Sequence, residues 1–85
     1  MSKKLYEVIQ EVNKLSDEQI IEQIEKTVAV EKDEKILKQV DKLTEDYCYD
    51  RAVCQEAKLD YNKIRESEAW KMTLIAYRMV TENYV

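Results

Sequence analysis

Apolar residues recur near the N-terminus at Leu5, Val8, Ile9 and Val12, the i, i+3, i+4, i+7 spacing that lines one face of an α-helix. A helix is expected from about Lys3 to Asn13, with Asn13 able to close it in the left-handed conformation. The following stretch, "LSDEQI", carries the strongest boundary signal in the chain. Ser16, with Gln19 three residues on, forms a capping box, and Leu15 and Ile20 have the spacing of a hydrophobic staple. Asp17 and Glu18 then fall in the first turn, where the helix dipole favours acids. This second helix has a narrow apolar stripe of Ile20, Ile21, Ile24 and Val28, with Glu18, Glu22 and Glu25 on the opposite side. Around "VAVEKDEK", β-branched residues and a charge run weaken the pattern. Asp33 can cap a new helix, so a break is expected between Glu31 and Asp33.

From Glu34 onward, Ile36, Val40, Leu43, Tyr47, Cys54, Ala57, Tyr61 and Ile64 step by threes and fours, with one gap. Such a heptad-like seam predicts one long helix of roughly thirty residues, about 45 Å in length. The gap in the seam is Asp50, with Arg51 at the edge of the apolar arc. A carboxylate there is costly unless paired. Asp50 and Arg51 are therefore expected to act as a polar device that fixes register or oligomeric state; partial exposure near a bundle end is the other structural reading, and a ligand or catalytic role for Asp50 the weakest.

Ser67 can cap a last helix, "EAWKMTLIAYRMVTEN". Its apolar residues cover most of the helical circumference and leave Lys71, Arg78 and Glu82 as a narrow polar strip. A helix apolar nearly all round must be surrounded by packing. An 85-residue chain offers few neighbours for that purpose. The pattern predicts an all-α fold, a small bundle of three to four helices with one long central helix, forming a single domain over residues 1–85 and a homodimer. On this reading Met72, Ile75, Ala76 and Met79 face the chain's own long helix. Trp70, Leu74 and Tyr77, with Tyr84 beyond them, form a face for a second subunit or another protein, and a core within the one chain alone is the third reading. Aromatic residues and methionine are favoured on such surfaces.

Composition sharpens this picture by what it lacks. The chain has no Gly, Pro, His or Phe. Without glycine there is no phosphate-cradling loop or dinucleotide-binding turn. Without histidine, acid–base work would fall to carboxylates, lysine or tyrosine. Glu22-x-x-Glu25 and Glu31-x-x-Glu34 resemble the spaced carboxylates with which all-helical nucleotide pyrophosphohydrolases bind Mg²⁺, but the downstream E-x-x-D element is missing and Glu22 and Glu25 point away from the apolar stripe. Such a hydrolase is a weak alternative, and the expectation is a protein that is not an enzyme and takes no cofactor.

The two cysteines, Cys48 and Cys54, have no zinc spacing and no partner histidine. On one straight helix they lie about 120° apart, too far round to share a metal or a disulfide. Cys54 is then expected in the core and Cys48 on its flank. No secretory leader and no run of about 20 apolar residues is visible. The thiols are expected to be reduced and the chain cytoplasmic.

Acids outnumber bases 18 to 14, for a net charge of −4, and eleven of the bases are lysine, a usage that suits an AT-rich bacterial or phage genome. The excess is local, because residues 16–34 hold seven acids and two lysines. A helix-turn-helix reading would turn Glu18, Glu22 and Glu25 towards phosphates that repel them. The converse is that these glutamates imitate phosphates and occupy a basic groove, although an acidic helix face is most often simply solvated. The functional expectation is a small non-enzymatic protein-binding regulator or inhibitor of bacterial or phage accessory type, acting through a helical surface. A nucleic-acid-binding regulator and an acidic nucleic-acid mimic are the alternatives.

Overall fold

Three of the helices begin where a short polar side chain takes over a backbone N–H that the helix itself leaves unpaired. The computed structural model describes residues 3–64 and 69–82. Among these residues it contains α1 (Lys3–Asn13), α2 (Asp17–Lys26), α3 (Glu34–Cys48), α4 (Arg51–Glu56) and α5 (Ala69–Thr81), with a 3-10 turn at Val28–Val30 and no strand. No helix of the described residues is long and apolar enough to cross a membrane.

Ser16 caps α2 as a reciprocal box. The Gln19 N–H donates to Ser16 Oγ at 3.2 Å, and the Ser16 N–H donates to Gln19 Oε1 at 2.9 Å. Asp33 caps α3 by accepting from the Lys35 N–H at 2.9 Å, so the break between Glu31 and Asp33 stands where the charge run suggests. Leu15 and Ile20, the staple positions, join the same core. Asn13 ends α1 without the expected left-handed conformation, since Lys58 alone of the described non-glycine residues has a positive φ. The Asn13 side-chain amide instead donates to the Glu56 carbonyl at 2.8 Å, tying α1 to the end of α4.

The predicted thirty-residue helix does not form. α3 stops at Cys48, Tyr49 closes it, and Asp50 starts α4. Asp50 Oδ1 accepts from the Ala52 N–H at 2.9 Å and from the Val53 N–H at 3.2 Å. Its carboxylate is thus an N-cap, where a negative charge also meets the positive end of the helix dipole. This corrects the reading of Asp50 as a polar device on a continuous seam. Arg51 does not pair with it either, and its guanidinium lies 4.7 Å from the centre of the Tyr61 ring, a cation–π contact. The described residues extend over 30 Å at most, which leaves no room for a 45 Å rod.

α4 then ends in a Schellman motif built without glycine. The Leu59 N–H donates to the Cys54 carbonyl at 2.9 Å and the Lys58 N–H to the Gln55 carbonyl at 3.1 Å. The motif needs a left-handed residue, and Lys58 supplies it at φ 58°. For a residue with a Cβ this conformation costs about 1–2 kcal/mol. It is offset by what the turn delivers to the core, namely Ala57 and Ile64, both fully buried, and Leu59, half-buried.

The centre of the bundle is α5, and this is the second correction to the expected layout. α5 packs against α1, α2 and α3. Met72, Leu74, Ile75, Ala76 and Met79 are buried, although Leu74 projects from the opposite side of the helix to the other four. The α1 face of Leu5, Val8, Ile9 and Val12 is buried to the last residue, as its spacing predicts. In α2 only Ile20 is fully buried, and Ile21 is 47 % exposed. Successive residues stand 100° apart on a helix, so Ile20 and Ile21 cannot both enter a narrow contact. The cap expected at Ser67 lies outside the described residues.

Two substitutions with opposite effects probe the turns. Asp50→Ala should cost about 0.5–2 kcal/mol, the usual range for a lost N-cap. Lys58→Gly should gain about 0.5–1 kcal/mol, because relief of the left-handed strain exceeds the added freedom of the unfolded chain. Urea melts of the two variants beside the parent protein measure both; a neutral or destabilising Lys58→Gly would contradict the strained turn.

Candidate functional site

The residues singled out by the sequence fall into two places, on either side of α2. Glu18, Glu22 and Glu25 are all exposed on the face of α2 turned away from the core. Glu22 accepts from Lys26 Nζ at 2.6 Å, one helical turn on. That hydrogen bond and the Lys26 charge hold the Glu22 carboxyl below its ordinary range. An exposed i, i+4 pair of this kind adds little to stability, so the face is free to carry charge for another purpose. The same segment carries Ile21 and, in the 3-10 turn, Val30 at 62 % exposure. Sequence reasoning put Ile21 in the core and so missed it as part of this surface.

On the other side of α2, a cleft of about 320 Å³ separates it from α5. Leu15 and Leu74 supply apolar lining, and Gln23, Thr27, Tyr77 and Arg78 stand around it. Its polar groups mostly serve the fold. The Tyr77 hydroxyl donates to Glu31 Oε2 at 3.0 Å, across 46 residues of sequence. Glu31 Oε1 in turn accepts from the Asp33 N–H at 3.2 Å, so one carboxylate links the start of α3 to α5. Arg78 donates to Glu11 of α1 at 2.8 Å and to Glu82 at 3.4 Å. The Thr27 and Thr81 hydroxyls donate to the backbone carbonyls of Gln23 and Tyr77. A shallower hollow of about 390 Å³ lies beside Tyr6, Ala52, Gln55 and Glu56.

This geometry revises the expected C-terminal docking face. Leu74 is 1 % exposed, held in the core beside the cleft, and is not available to a partner. Trp70 is half-buried and packs against the core, and Tyr77 is half-buried with its hydroxyl engaged. Tyr84 lies outside the described residues. The sides of α5 that were reserved for a second subunit are in contact with α1, α2 and α3 of the same chain. The width of the apolar arc therefore no longer requires another copy. Lys71, assigned by the sequence to the polar strip, donates to the Ala57 carbonyl at 2.6 Å and so serves the C-terminal end of α4.

Among the described residues no polar or charged side chain is buried, and no three His, Cys, Asp or Glu gather closely enough to hold a metal ion. Both cysteines are free, and both are buried, Cys48 at 8 % and Cys54 at 1 % exposure. Cys48 is thus a core residue and not the flanking thiol that a straight helix implies. Burial pushes its thiol up, helped by the Glu45 charge. Burial likewise raises Cys54, followed by the effects of Cys48 and Asp50.

The Tyr77–Glu31 tie gives a pH signature. Burial first, then the bond to Glu31, holds the Tyr77 phenol above its ordinary value of 10.0, and burial does the same for Tyr47. A phenol whose pKa is raised by folding contributes stability that is complete below the unfolded value and is lost as pH rises through the folded one. Tyr77→Phe should cost about 1 kcal/mol near neutral pH, the usual net value of such a bond. Thermal melts between neutral pH and pH values above 10 should show the variant losing less stability than the parent on the alkaline side. Parallel losses would mean that Tyr77 is not raised in the folded chain. Comparison with known proteins adds no further constraint, since no family model, no curated protein and no solved structure matches this chain.

Proposed function

We propose that this chain is a small non-enzymatic protein-binding regulator or inhibitor, of bacterial or phage accessory type, working in the cytoplasm through the outer face of α2 and the turn that follows it. The observation that carries the reading is the make-up of this one segment. Ile21 and Val30 stand exposed where they contribute little to the fold, beside the exposed row of Glu18, Glu22 and Glu25. Single exposed aliphatic residues are ordinary on any surface. Two on a stretch with seven acids and two lysines suit a partner with a basic rim and a small apolar centre.

A basic groove of this description includes those that normally hold nucleic-acid phosphates. The row of glutamates supports that second reading, in which the chain is an acidic mimic that blocks such a groove. Direct nucleic-acid binding is disfavoured, because the same row repels phosphates. The partner is taken to be a different protein and not a second copy, since the chain's own helices already pack around α5.

Affinity capture on the immobilised chain tests the surface. Glu18→Lys combined with Glu22→Lys, and separately Ile21→Arg, should abolish retention of a partner that the parent chain holds. Lys38→Glu on α3 should leave retention intact, and circular dichroism should show helicity unchanged in all three. Retention by both α2 variants would reject this face as the site. Association through it should also weaken as salt is raised, as expected for steering by charge.

The oligomeric state is a separate measurement. Sedimentation at micromolar concentration should give a monomer, and a dimer there would return the homodimer expected from sequence alone.

A further inference from the structure

We propose that Cys48 and Cys54 form a modifiable dithiol, which closes into an intramolecular disulfide across the α3–α4 elbow under the action of a small-molecule disulfide such as oxidised glutathione. The proposal is independent of the partner surface on α2. On a continuous helix, residues six apart are separated by about 9 Å along the axis and about 120° around it. A disulfide does not span that separation. The elbow at Tyr49 and Asp50 breaks the continuous helix on which that separation rests, because α3 ends on Cys48 and α4 restarts only at Arg51.

Cys54 Sγ lies 3.7 Å from the Cys48 carbonyl oxygen and 3.9 Å from that of Tyr47. The Cys54 sulfur therefore sits against the backbone from which the Cys48 side chain branches. Both side chains belong to one buried core cluster, and both thiols are free. Burial raises the Cys54 thiol, and the nearby Cys48 adds to the shift.

The chemistry balances without any further reagent. One cysteine loses its proton and its thiolate attacks a sulfur of oxidised glutathione, whose S–S bond breaks and releases one glutathione thiolate. The second cysteine, as its thiolate, attacks the protein-side sulfur of the mixed disulfide and releases the second glutathione. The two protein protons go to the two departing thiolates, the cysteine pair is oxidised by two electrons, and glutathione disulfide is reduced by two.

Buried thiols with raised pKa values are slow nucleophiles, so the pair responds to a sustained redox poise and not to a brief pulse of oxidant. Closure would stiffen the elbow on which two other helices depend. Asn13 of α1 holds the Glu56 carbonyl of α4, and Lys71 of α5 holds the Ala57 carbonyl next to it.

The test is the effective concentration of one thiol towards the other. The full chain is equilibrated in glutathione redox buffers, once in native buffer and once in urea, then quenched with acid and its thiols counted by mass spectrometry. If the fold holds the thiols together, the effective concentration in native buffer exceeds that in urea by about tenfold or more. By the same linkage the oxidised chain melts several degrees above the reduced one. An equal or lower value in native buffer, or a glutathione adduct on one cysteine in place of the closed pair, would overturn the proposal.

Discussion

The structure depends on removing α5 from water. Four of its five buried residues, Met72, Leu74, Ile75 and Met79, are large, and they project from both sides of the helix. Each large apolar side chain that is fully buried contributes roughly 1.5–3 kcal/mol. A single cap contributes about 0.5–2 kcal/mol and an exposed ion pair about 1 kcal/mol or less. The packing around α5 therefore outranks any local preference in the rest of the chain, and the other helices are arranged to meet it. α3 lies along α5, α1 and α2 close other sides, and α4 packs against α1 and α3.

A chain without glycine or proline must turn by other means. Here the turns are made by oxygen-bearing side chains. Ser16, Asp33 and Asp50 each satisfy backbone N–H groups at a helix start. Where a left-handed residue is unavoidable, Lys58 adopts the conformation at a cost that glycine would not incur. Among the described residues, several long-range polar contacts converge on α5. Tyr77 with Glu31, Arg78 with Glu11, and Lys71 with the Ala57 carbonyl each pin a loop or a neighbouring helix to α5. Because these polar groups serve the fold, the α2–α5 cleft has little chemistry to spare, and the outer face of α2 is the better candidate for recognition.

Local features were legible in the sequence because their physics is local. The α1 stripe, the capping box at Ser16 and the break before Asp33 rest on spacings of three to seven residues, and all three stand in the structure. The absence of glycine, proline and histidine bounds the fold and the available side-chain chemistry without reference to any contact. Asp50 stands out in the sequence as an acid on an apolar seam. Asp is a favoured N-cap, but a heptad spacing that runs through it is also what a continuous helix would show.

What only the tertiary structure decided is which surfaces meet. A helical wheel fixes angles within one helix and says nothing of its neighbours. The seam through Tyr47 and Cys54 was equally compatible with a straight rod and with two helices joined at an elbow, and the choice turned on burying Cys48, Val53 and Cys54 in one core. The same holds for Leu74, which belongs to the far side of α5 by angle and to the core by contact. The sequence by itself determined an all-helical chain, its first helix face and its early boundaries. The identity of the central helix, the elbow at Asp50 and the exposure of Ile21 were decided by packing, because a few kcal/mol of burial around α5 exceed the roughly 1 kcal/mol differences that local patterns express.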